Sequence, residues 1–96
     1  MLDKKDRQKL ITIAQTLEPL LILGKNGLSD NVLTEMEDIL DAREILKVRI
    51  LRSCEVTARE ISEIAFEQLS AETVTHLGNV VVLYRRSTRD KVKHIL

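Results

Sequence analysis

The chain has 96 residues, enough for one domain and too few for two, and its 44% apolar content, mostly Leu, Ile and Val, predicts a single aliphatic core. Fifteen Lys and Arg balance fifteen Asp and Glu, so net charge alone argues against a nucleic-acid binder. Cys54 has no partner for a disulfide, no apolar run approaches the ~20 residues that span a bilayer, and the polar start has no signal-peptide core behind it; a cytoplasmic protein without a membrane partner is expected.

In chain order, Leu10, Ile13, Ala14 and Leu17 recur at helical spacing, so residues 4 to 17 are predicted as an amphipathic helix closed before Pro19. The apolar run 20 to 23 lies between Pro19 and Gly24 and suits a short buried strand. Ser29 is a candidate N-cap for a helix over about 30 to 42, in which Val32, Met36, Ile39 and Leu40 share a face. Residues 44 to 51 alternate, which turns Leu46, Val48 and Ile50 inward and Lys47 and Arg49 outward. Ser53 is expected to cap a third helix with the stripe Ala58, Ile61, Ile64, Ala65 and Leu69, ending near Ser70. Two apolar runs then flank Gly78 and Asn79, the signal for a tight antiparallel hairpin.

The order α-β-α-β-α-β-β predicts an α/β fold spanning residues 1–96 as one domain, with a four-stranded mixed sheet and helices mainly on one face because βαβ crossovers are right-handed. The basic tail after about residue 89 is expected to be flexible.

Charge is segregated along the chain. Lys4, Lys5, Arg7 and Lys9 crowd one terminus and Arg85, Arg86, Arg89, Lys91 and Lys93 the other, with the acids gathered between them. Surface potential depends on charges within about 10 Å of a ligand, so a neutral total is compatible with one cationic face. Between the first strand and second helix stands Gly24-Lys25-Asn26-Gly27. A helix N-terminus carries unpaired amides and partial positive charge, glycines let a backbone approach, and Lys25 adds a charge-assisted bond, so the stretch suits a phosphate. The chemistry is that of the Gly-x-x-Gly clamp of KH domains, although there the loop joins two helices. Any strand-to-helix turn can call for glycines on conformational grounds, so the motif alone is weak. The spacing fits neither a Walker loop nor a dinucleotide fingerprint.

In context the signal strengthens. The segments LEPLLILGKNGLSDNVLTEMEDIL, REILKVRIL and LGNVVVLYRR, in this order and at these separations, resemble the CRM domain (chloroplast RNA splicing and ribosome maturation) in its free-standing bacterial YhbY-like form, from about Leu2 to Arg86. The resemblance implies an RNA-binding module similar in fold to the C-terminal domain of translation initiation factor three, whose bacterial members associate with precursors of the large ribosomal subunit. It puts RNA contacts on Gly24, Lys25, Asn26 and Gly27, on Lys5 and Arg7, and on Tyr84 and Arg85; Arg86 joins them as a neighbouring cation, and strand alternation adds Lys47 and Arg49. The chain departs from the family pattern at Gln15, where many members carry histidine, and at Asn79, where many carry Lys or Arg.

Cys54 and His76 lie on separate predicted elements with no third partner, and two histidines with one cysteine lack finger-like spacing, so neither catalysis nor a metal site is expected. Tyr84 is placed to stack on a base or, equally, to pack at a sheet edge. The expectation is a monomeric, non-catalytic RNA-binding protein without cofactor or small-molecule substrate, acting on ribosomal RNA during large-subunit assembly. The alternative is a protein adaptor using the acidic helices.

Overall fold

In the computed structural model, which describes residues 2–96, the elements are α1 (Lys4–Gln15), β1 (Leu21–Leu23), α2 (Asp30–Arg43), β2 (Ile45–Ile50), α3 (Ala58–Leu69), β3 (Glu72–Leu77) and β4 (Val80–Tyr84). The strands form one mixed sheet in the order β1-β2-β4-β3. β1 runs parallel to β2, and β4 is antiparallel to both β2 and β3. The expected element order and mixed sheet are both present.

Two clusters bury the faces of the sheet. On one, Leu46, Val48, Val81 and Leu83 pack against Met36 and Leu40 of α2 and Ile61 and Ala65 of α3. On the other, Leu10 and Ala14 of α1 cover Ile45, Val74, Val82 and Tyr84. Helices therefore lie mainly on one face, with α1 alone across the sheet. Each fully buried Leu or Met contributes roughly 1.5–3 kcal/mol relative to exposure, and Leu10, Met36, Leu40 and Leu46 are all wholly buried.

The helix ends follow local chemistry. The Ser29 side chain accepts from the Val32 amide, the cap expected of it. Ser53 does not cap α3; the N-cap is Thr57, whose hydroxyl accepts from the Glu60 amide while the Glu60 carboxylate accepts from the Thr57 amide. A reciprocal pair satisfies two orphan amides where a lone serine satisfies one, so the helix starts later. α2 ends at Glu44, which adopts a left-handed conformation (φ 67°). Its side chain is buried and accepts from the Ser87 and Ile95 amides and pairs with His94. The tail after Arg89 has no regular element, and its last residues, Ile95 and Leu96, pack on the α1 cluster.

The C-terminal ends of β1 and β2, the β3–β4 turn and the N-termini of α2 and α3 all emerge at one end of the sheet, hereafter the turn end. The opposite, or tail, end carries the start of β3, the start of α1 and Arg85.

Candidate functional site

Gly24 to Gly27 form a β-turn closed by the Gly27 amide donating to the Gly24 carbonyl at 3.0 Å. Lys25 and Asn26 stand exposed at its tip. The two glycines are not equivalent. Gly27 has φ +57°, and a Cβ there would lie 3.1 Å from the Val56 side chain. Gly24 has no such conformation, and a Cβ would meet Ser53 and Leu51 at ordinary contact distances of 3.5 and 3.6 Å. Only Gly27 is demanded by the backbone.

The amides around the turn do not all converge on an anion. That of Gly27 closes the turn and that of Val32 is capped by Ser29, while Asp30 puts a carboxylate in the first turn of α2. Positive charge at this corner therefore comes mainly from side-chain cations. Leu23 pairs with Ile50 and Ile22 with Arg49, which brings Arg49 beside the turn. Arg52, in the loop after β2, completes the group. Among the described residues the side chains of Lys25, Arg49 and Arg52 make no hydrogen bond or ion pair, and all are exposed.

Arg49 also stands in an open row across the sheet. Ile22, Arg49, Val80 and Leu77 are successive partners on β1, β2, β4 and β3. They share the α1 face beyond the reach of α1, where Ile22 is 56% and Leu77 75% exposed. A shallow groove lined by Gln15, Lys47, Thr75 and Leu77 joins this row to α1.

Other sequence-predicted residues lie elsewhere, and three of the cations serve the fold. Lys47 does not point to open solvent, because α1 covers that part of the sheet; its ammonium donates to the Ala14 and Leu17 carbonyls at 3.0 and 3.1 Å. α1 has no basic residue in its own last turn, so a strand lysine supplies the cation that its carbonyl end favours. Arg85 does the same for α3, which also lacks one, donating to the Leu69 carbonyl at 2.9 Å and pairing with Asp41 of α2. Arg7 donates to the Thr73 and Val74 carbonyls, both at 2.7 Å, where a register shift interrupts the β3–β4 ladder. A single guanidinium nitrogen, Nη1, thus bonds both carbonyls beside the irregularity.

Tyr84 is 9% exposed and packs beneath α1, and burial pushes its phenol up from the usual range. Lys5 and Arg86 are exposed but at the tail end, away from the turn. The structure thus brings together Gly24, Lys25, Asn26, Gly27 and Arg49 and separates them from Lys5, Arg7, Tyr84, Arg85 and Arg86. Arg52 was not among the predicted residues; its position two residues past an alternating strand whose last cation faces outward is the only signal that marks it.

Cys54 and His76 line one groove with Arg52 at the turn end. The Cys54 thiol donates to the Val56 carbonyl, and a His76 ring nitrogen lies 3.0 Å from the Gly78 carbonyl. Among the described residues no group of three His, Cys, Asp or Glu is arranged to hold a metal, and no helix is long and apolar enough to cross a membrane.

The fold is an α/β sandwich with exposed cations around a Gly-Lys-Asn-Gly turn at one end of its sheet. Residues 2–85 match the family model of the CRS1 / YhbY (CRM) domain, and the chain belongs to that family. It is 33% identical over 91 residues to the Bacillus subtilis protein named "Probable RNA-binding protein YqeI", covering 95% of both chains. It is 34% identical over 92 residues to a Haemophilus influenzae protein named "RNA-binding protein", covering 96% of this chain and 93% of that one. The solution structure of a Staphylococcus aureus protein superposes with a TM-score of 0.75 at 31% identity over 95% of each chain.

Proposed function

We propose that this CRM domain binds RNA without catalysing a reaction on it, using the turn end as its primary contact. Three exposed cations, Lys25, Arg49 and Arg52, gather at one corner with no internal partner among the described residues, and that observation carries the reading. The RNA-binding names of its relatives support the ligand class. With one buried tyrosine and one phenylalanine in the whole chain, a base-stacking platform is slight. Recognition then rests on phosphate geometry and the shape of a structured RNA, and ribosomal RNA in large-subunit precursors is the proposed target. Lys5 and Lys9, exposed on α1, form a second contact for a long RNA.

Filter-binding titrations against ribosomal RNA fragments at a series of salt concentrations test this. Log affinity falls with log salt by about one unit for each phosphate contact. Lys25→Glu weakens binding by about tenfold or more with an unchanged melting curve. A variant that binds as tightly as the parent removes the turn from the site, and an affinity independent of salt removes phosphate recognition altogether.

A further inference from the structure

Phe66 is one of only two aromatic side chains in the protein, and it is 65% exposed while Tyr84 is buried. It projects from α3 away from the buried stripe of Ile61, Ala65 and Leu69. Beside it runs a groove of about 660 Å³ between α3 and the start of α1, along β3, an edge strand of the sheet. Leu2, Ser62 and Thr73 extend its small and apolar lining, Glu63 and Glu67 supply two exposed carboxylates, and the Glu72 carboxylate accepts from the Leu2 amide. Arg7 also lines the groove, but its guanidinium is held on the Thr73 and Val74 carbonyls. Arg59 reaches Glu63 only through an exposed pair at 3.3 Å, which a ligand can displace at little cost.

An exposed aromatic flanked by carboxylates repels a polyanion and suits the opposite. We propose that this groove docks a Lys- and Arg-rich protein segment carrying an apolar anchor, the anchor resting on Phe66 and its cations meeting Glu63 and Glu67. The aromatic face adds cation–π attraction for an arginine or lysine placed over it. Charge complementarity selects this occupant over RNA. The groove lies at the tail end, so RNA held at the Lys25 turn alone leaves it free. The protein then joins RNA to a basic polypeptide, and the second interaction does not depend on the first.

A labelled peptide of repeating Lys, Arg and Leu, a counterpart with Glu for every cation, and a third with Ser for every Leu are titrated against the full chain by fluorescence anisotropy. The first binds; the acidic peptide does not, and the Ser version binds at least about tenfold more weakly. Phe66→Ser and, separately, Glu67→Lys each weaken the first peptide by about tenfold, with parental melting curves and parental affinity for an RNA fragment. Peptide affinity unchanged in both variants overturns the proposal. So does loss of RNA binding in Phe66→Ser, which makes the groove a nucleic-acid surface, or a dimer in sedimentation equilibrium that the same variant abolishes, which makes it a contact between copies. If Phe66→Ser fails to fold, Glu67→Lys decides alone.

Discussion

The two ends of the sheet use the same side chains for different ends. At the turn end Arg49 and Lys25 stand free, whereas at the tail end Arg85 and Arg7 are folded onto carbonyls. What separates them is the local supply of unpaired acceptors. α1 and α3 end without a basic residue in their last turns, and the β3–β4 ladder slips beside Thr73, so carbonyls there recruit cations from other elements. The turn end presents helix N-termini instead, whose orphan groups are donors, and among the described residues nothing competes for Lys25, Arg49 or Arg52. A lysine or arginine is available to a ligand where no helix C-terminus or broken ladder claims it.

The largest effect expected of breaking this division is at Glu44, which anchors the tail end from a fully buried position. Glu44→Ala strands the Ser87 and Ile95 amides and is expected to cost about 3 kcal/mol in urea unfolding. Arg85→Ala, which frees the Leu69 carbonyl and leaves Asp41 unpaired, is expected to cost about 2 kcal/mol. Gly27→Ala forces a Cβ into a left-handed turn against Val56 and costs about 1–2 kcal/mol, while Gly24→Ala stays within about 0.5 kcal/mol. Equal losses at the two glycines would contradict the asymmetry of the turn. Lys25→Ala and Arg49→Ala change stability least, but each lowers the slope of log RNA affinity against log salt by about one unit. A comparable drop in slope for Lys47→Met, at fixed stability, would return that lysine to the interface.

Acid provides an independent probe of the tail end. Burial alone would raise the Glu44 carboxyl, but the Ser87 amide, His94 and the Ile95 amide outweigh it and hold the group below its ordinary 4.5. A depressed carboxyl contributes stability in full above the unfolded value and loses it as pH falls through the folded one. Unfolding free energy should therefore drop below about pH 4.5, and Glu44→Gln should flatten that slope, leaving the part due to Glu72, whose carboxyl the Leu2 amide holds down.

Periodicity made nearly all of the fold legible. Val32, Met36 and Leu40 on one helix and Leu46 and Val48 on one strand are set by the residues' own spacing, and a hairpin at Gly78 and Asn79 is local chemistry. The start of α3 was misplaced because Ser53 and Thr57 are both good caps and only the latter has a Glu three residues on. The site was legible in part. The turn and its exposed Lys25 and Asn26 could be placed because they lie in four adjacent residues. The roles of Lys47, Arg7 and Arg85 could not, because each is fixed by carbonyls 16 to 67 residues away in sequence.

The strand order has a consequence for biosynthesis. β4 follows the other three strands in the chain, yet it sits between β2 and β3 and joins them in the sheet. Until Tyr84 has left the ribosome, β3 has nothing to pair with and β2 lacks one neighbour. The sheet should therefore close only once β4 has emerged, with pairings distant in sequence making that step comparatively slow. A stop codon anywhere before Val80 should yield a chain that proteases clear rather than a shortened domain.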